Sequence, residues 1–382
     1  MNPLFQSSEN NYFYMNACVG ENTGGIEAYS YMQGFSDAFF ALSYIAHTEC
    51  YIHPISHDEK HASVNGLIYP MLYCARHHLE LFIKYQYTII AHIRNKEPKI
   101  PQGHDLAELF KLLQDESNFD RRMAELTNKI KPFISAFAEI DPTGQTFRYA
   151  TDTEGKMHLA EINTINATAL TENFSKLASL IEEANVLTPE IEREYSTGTN
   201  TKKLSRHDIY IIAVNLPHID QWHEPSFKEL KEKIKSVYKI GSKEFSSTIH
   251  IIKKHREFSP LIGIENKIEI LSEDLLDRLK SSSDENTGFL SDSEWRILFA
   301  ICEVGRSFYY SESFDSIIEH DLGNYLNPGD AYRDITSRSH RFYEGLIKTG
   351  QASFIKLLKR NYPELINDTN IRVTTKKWKI LV

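Results

Sequence analysis

Residues 66–113 read GLIYPMLYCARHHLELFIKYQYTIIAHIRNKEPKIPQGHDLAELFKLL, and this stretch decides the fold. Ile68, Leu72, Ala75, Leu79, Phe82 or Ile83, and Ile90 recur at three- and four-residue steps, the spacing of one long helix with a single buried stripe. Arg76–Glu80 and Glu80–Lys84 are one helical turn apart, and such pairs are expected on the outer side. Pro98 and Pro101 break the pattern. A second helix opens at Gly103-His104-Asp105-Leu106, where Asp105 is placed to cap it.

The helical period recurs on both sides of this stretch. Phe35, Phe39, Leu42 and Ile45 mark a helix over about residues 29–48, followed by a loop with several histidines. Downstream, Met123, Leu126, Ile130, Phe133, Phe137 and Ile140 mark another helix, and Leu170, Phe174, Leu177, Ile181 and Ala184 mark a third. Between these two, TFRYATDTEGKMHL (146–159) reads as a small β-hairpin turning at Thr153-Glu154-Gly155. Residues 188–203, TPEIEREYSTGTNTKK, lack a stripe and place a domain boundary. The expected fold is all-α, with one helical bundle over 1–190 carrying the hairpin as an insertion and a second helical domain over 204–382.

In the second domain LSRHDIYIIAVNLP (204–217) is a capped short helix that stops before Pro217. SFKELKEKIKSVY and SKEFSSTIHIIKKH are two helices joined by a tight turn at Lys239-Ile240-Gly241. LSEDLLDRLK, SDSEWRILFAICEVGRSF and one long helix over about 329–360 complete the expected set.

The totals exclude several function classes. A chain of 382 residues has room for two domains, and 41% hydrophobic with 25% charged residues is ordinary for a globular protein. The net charge of −9 argues against a uniformly basic nucleic-acid coat while allowing a local basic patch. Cys18, Cys50, Cys74 and Cys302 form no CxxC pair, so neither a zinc knuckle nor a disulfide framework is indicated. No run of 18 apolar residues occurs, and MNPLFQSSENNYFYM lacks the basic start and apolar block of a secretory signal. A cytoplasmic protein without membrane contact is therefore expected. No Gly-rich phosphate loop, GxSxG elbow or HExxH is present. In HTECYIHPISHDEKH (47–61), Cys50, His53, His57 and His61 meet no standard ligand spacing and Pro54 breaks the segment. These are read as surface histidines, and neither metal nor cofactor is expected.

The clearest charge asymmetry lies in residues 226–256, with nine Lys or Arg against three Glu. Lys231, Lys235, Lys239, Lys243, Lys253, Lys254 and Arg256 are candidate phosphate contacts on a helix-turn-helix. The alternative is a solvated face, since several lysines alternate with Glu229 and Glu232.

Arg76, His77, Glu80, Leu81 and Lys84, followed by Gly103-His104-Asp105-Leu106, resemble HEPN-type helical domain proteins of bacterial toxin and defence systems. Phe147-Arg148-Tyr149 with Asp152 and Gly155 extends the likeness, which covers roughly residues 60–160. The resemblance implies an α-helical bundle that often forms a homodimer. It also implies metal-independent RNase activity in many members, and binding of nucleotides or partner proteins in others. The ribonuclease members carry an Arg, then Asn, Asp or His, and a His after four to six intervening residues. Arg94 to His104 and Arg148 to His158 each have nine between them, outside that pattern. Arg333-Asp334-Ile335-Thr336-Ser337-Arg338-Ser339-His340 meets it. On one continuous helix Arg333 and His340 would return to nearly the same face, two turns apart.

RNA cleavage without metal needs an acid or base near neutral pH, which His supplies, and a cation for the phosphorane charge, which Arg supplies. A symmetric dimer would bring two such pairs together. The leading expectation is thus a metal-independent endoribonuclease of a defence or toxin system. Arg333, Asp334 and His340 would form its site, the basic helices would hold RNA, and Arg76, His77, Glu80 and His104 would line a groove or hold the fold. The alternative is a non-catalytic module that binds RNA or DNA, or docks a partner protein.

Overall fold

The computed structural model describes residues 17, 28–149, 151, 154–159, 162–283, 286–306, 310–319 and 328–363. Asp152 lies outside them. Among the described residues the architecture is helical, with one two-stranded sheet. The chain divides into two compact units, Met1–Glu190 and Ile191–Val382.

The first unit contains α1 (Ala28–Thr48), β1 (Cys50–Ile52), β2 (Glu59–His61), α2 (Val64–Ile93), α3 (Leu106–Ser117), α4 (Arg121–Ile140) and most of α5 (Ala167–Ser196). Short polar side chains start the helices. Ser63 accepts from the Gly66 amide at α2, Asp105 from Ala107 and Glu108 at α3, and Asp120 from Arg122 at α4. α2 packs on α1 and α3, and α3 on α4. Leu72, Ala75, Leu79, Phe82, Ile83 and Ile90 are buried as their spacing requires, whereas Ile68 is half-buried.

Several expectations are corrected here. The buried stripe of α1 is Met32, Ser36, Phe39, Ser43 and Ala46, so Phe35, Leu42 and Ile45 lie at its edge. Two buried serines displace the apolar reading, and the Ser43 hydroxyl is 2.7 Å from that of Thr171. The antiparallel hairpin is β1–β2, with Tyr51 opposite Lys60, in the segment read as a histidine loop. Where a hairpin was expected, a single bridge pairs Thr151 with Met157. Residues 188–196, expected to lack a stripe, are helical. α5 continues through Pro189 to Ser196, because Thr188 and Ile191 keep its inner face buried.

The second unit holds α6 (Arg206–Asn215), α7 (Pro225–Tyr238), α8 (Ser242–Lys254), α9 (Glu273–Lys280), α10 (Asp292–Val304), α11 (Ser313–Glu319), α12 (Pro328–Thr336), α13 (Ser339–Lys348) and α14 (Ala352–Asn361). Reciprocal capping boxes open α6 (Ser205 with Asp208) and α10 (Ser291 with Glu294). One apolar cluster joins α6, α7 and α8 through Ile209, Ile212, Ile234, Phe245 and Ile252. A second surrounds Trp295, Leu298, Ile301, Phe342 and Leu346.

The single long C-terminal helix is not observed: three helices replace it. α12 stops at Thr336, and α13 stops at a turn where Gly350 takes φ +74°. α13 crosses α10 at two glycines. A Cβ on Gly345 would stand 1.8 Å from the Ile301 carbonyl, and one on Gly305 would stand 1.8 Å from that of Arg341. Among the described residues no helix is long and apolar enough to cross a membrane.

Candidate nucleic-acid interface

The turn between α7 and α8 is built by Lys239, whose left-handed φ of 52° lets its amide bond back to the last turn of α7. Lys203 donates its ammonium to the Lys239 carbonyl at 3.2 Å. On α7 the exposed face alternates Lys228 and Lys233 with Glu229 and Glu232, and Lys235 is paired with Glu232 at 2.9 Å. Lys231 is drawn inward, its ammonium 5.6 Å from the Phe245 ring centre.

α8 differs from α7. Lys243, Ser246, Ser247, His250, Lys253 and Lys254 are exposed along it, with no carboxylate among them. Its one acidic residue, Glu244, is half-buried and accepts from the Lys203 amide at 3.0 Å. Lys253 lies 4.9 Å over Trp222, which is itself stacked on Phe227. Of the seven basic residues marked in the sequence, Lys239, Lys243, Lys253 and Lys254 are the exposed ones. Arg256 is committed to Asp315 at 2.9 Å and to the Phe314 ring.

Arg333, Asp334 and His340 surround the α12–α13 junction. The helix break at residues 337–338 removes the continuous register that would carry Arg333 and His340 onto one face. Arg333 is exposed and paired with Asp330, and His340 is exposed on the first turn of α13. Asp334 is buried, 2.7 Å from the Arg338 guanidinium and 3.6 Å from that of Arg341.

Arg76, Glu80 and His104 come together in the first unit, but inside it. Arg76 is 2% exposed, as is Glu80, so the pairing expected on the outer side is a buried one. Nη1 of Arg76 is 2.7 Å from Glu80 and Nε is 3.1 Å from Asp141, and Nη2 donates to the His104 carbonyl. Glu80 also meets Lys84 at 2.7 Å and His104 Nδ1 at 2.8 Å. Burial pushes the Glu80 carboxyl up, and the Lys84, His104 and Arg76 bonds outweigh it, bringing the group to about 2. Asp141 accepts three backbone amides, from Gly144, Gln145 and Thr146. His77 stacks on Tyr73, and burial pushes its imidazole down. The set is a clamp between α2, the opening of α3 and the end of α4.

One polar cluster escaped the sequence reading. Arg206 pairs with both Glu257 and Glu312 beneath a cleft, and His255 Nε2 is 2.9 Å from Glu312. The Glu257 and Phe258 amides both donate to His255 Nδ1, and Nε2 faces the carboxylate. Burial pushes Glu312 up, and the His255 and Arg206 bonds outweigh it, holding the carboxyl well below the usual range. These four residues are spread over three segments, and no local spacing signals them. Among the described residues no group of three or more His, Cys, Asp or Glu is placed to hold a metal. Compared with protein-family models, curated proteins and solved structures, the chain matches none of them.

Proposed function

We propose that the chain binds nucleic acid, RNA or DNA, through the exposed face of α8. One observation carries this: Lys243, His250, Lys253 and Lys254 share a helix surface with serines and no carboxylate, in a chain of net charge −9. A neutral solvated face would mix signs, as α7 does. The test is a mobility-shift titration with RNA and with DNA over a salt series. Retardation that weakens linearly with log salt, and is lost in Lys243→Glu/Lys254→Glu, is expected. Absence of retardation with both nucleic acids at low salt would overturn it.

A second reading, the metal-independent endoribonuclease of a defence or toxin system, rests on the α12–α13 junction. There Arg338 and Arg341 neutralise Asp334 beside the exposed Arg333 and His340. A second copy of the chain would supply the complementary acid–base pair. RNA incubated with the protein in EDTA reads this separately. Cleavage lost in His340→Ala supports the junction, and equal cleavage by both proteins removes it.

A further inference from the structure

The cleft above Arg206 has a volume of about 700 Å³, within the roughly 300–1,000 Å³ range of small-ligand sites. Its acidic groups are mostly spent on internal partners. Glu312 is held by Arg206 and His255, and Asp315 by Arg256. Glu265 accepts from the amide and hydroxyl of Ser353. Lys254 and Lys267 also line the cleft, and neither enters an ion pair among the described residues. The cleft thus presents two ammonium groups that enter no ion pair among the described residues, beside three carboxylates, of which Glu312 shares Arg206 with Glu257, Asp315 has Arg256, and Glu265 is met by a hydroxyl and an amide.

The loop that carries Lys267 is fixed. Buried Gln351 accepts from the Ile268 amide at 3.0 Å and donates to the Asn266 carbonyl at 3.0 Å. The Asn266 side chain donates to Ser259 at 2.9 Å. Lys254 is the last residue of α8, so the cleft continues from the basic face described above. Ammonium groups on a rigid polar frame suit a compact, highly charged anion, and an apolar ligand would find few partners.

We infer that this cleft binds a phosphate monoester through Lys254 and Lys267. The phosphate is either that of a free mononucleotide or the 5′ end of a strand; the second source rests on the reading of α8 given above.

The experiment uses the full chain and two matched pairs of probes. Calorimetric titrations compare 5′-AMP with adenosine, and fluorescence anisotropy compares a 5′-phosphorylated RNA 20-mer with its 5′-hydroxyl form. The phosphorylated member of at least one pair is expected to bind about tenfold tighter, the effect of one charge-assisted contact. Lys267→Ala should erase that difference, whereas Lys233→Ala, on the mixed face of α7, should leave it. A difference confined to the oligonucleotides assigns the strand end, and one confined to AMP assigns the free nucleotide. No difference in either pair overturns the cleft while leaving α8 to be judged by oligonucleotide binding as such. AMP bound in preference to adenosine with no oligonucleotide binding sustains the cleft and removes the α8 reading. A difference that survives in Lys267→Ala also overturns the assignment.

Discussion

The Arg76 guanidinium stands 3.1 Å from the Asp141 carboxylate, joining the middle of α2 to the residue that ends α4. Both side chains are almost wholly out of solvent. A buried pair of this kind is costly to break, because the surviving charge has neither water nor a partner. Its stability is shared with Glu80, Lys84 and His104, so the group acts as one network rather than as separate bridges.

Arg76→Met should lower the unfolding free energy by about 3–5 kcal/mol, seen as a shifted denaturant midpoint. Asp141→Asn in the same background should add much less than it does alone, by an interaction term of about 0.5–3 kcal/mol. Additive losses would mean that the two residues do not share an environment.

Acid should weaken the fold through Glu80. Its folded-state value of about 2 lies below the ordinary carboxylate value of 4.5, so its stabilisation is complete above about 4.5 and is lost as pH falls towards 2. The loss should be on the order of 3 kcal/mol. Thermal midpoints measured across that window should fall for the wild type and fall less for Glu80→Gln. Parallel curves would assign the acid sensitivity to other carboxylates.

The α10–α13 crossing leaves no room for a methyl group. Gly345→Ala must push the helices apart, at a cost of about 1–3 kcal/mol. Gly34→Ala meets nothing within 4 Å on α1 and should instead stabilise by about 0.5–1 kcal/mol. Thermal unfolding of the two variants in opposite directions checks the crossing, and a neutral Gly345→Ala would place α13 elsewhere.

If α8 lies on phosphates, single lysines should matter by position. Lys243→Ala should reduce the slope of log affinity against log salt by about 1, and Lys233→Ala on the mixed face of α7 should leave it unchanged. Equal slopes for both variants would move the contact off α8.

Much of the fold was legible, and the failures have local causes. Asp105 and Ser205 announced helix starts because a side-chain oxygen must meet free amides there. The buried faces of α2 and α5 were visible because apolar side chains filled them. The charged interior of α2 was not, since Arg76 and Glu80 look like any solvated one-turn pair until Asp141 and His104 arrive from distant sequence. Residues 188–196 showed no apolar stripe because Thr188 and Glu194 share the buried face of α5 with Ile191. Lys348-Thr349-Gly350 was a readable stop signal within the expected C-terminal helix, since glycine there relieves a left-handed turn. The basic candidates were half legible: composition located the cluster, and only the structure separates the acid-free face of α8 from the mixed face of α7.

Gln351 sits at the start of the last described helix, yet its side chain fastens the loop beneath Lys267. The start of α14 and the cleft are consequently one mechanical part. A protease cut between α13 and α14 would slacken the loop without touching any cleft-lining residue, so a clipped preparation would lose ligand while keeping most of its helical signal.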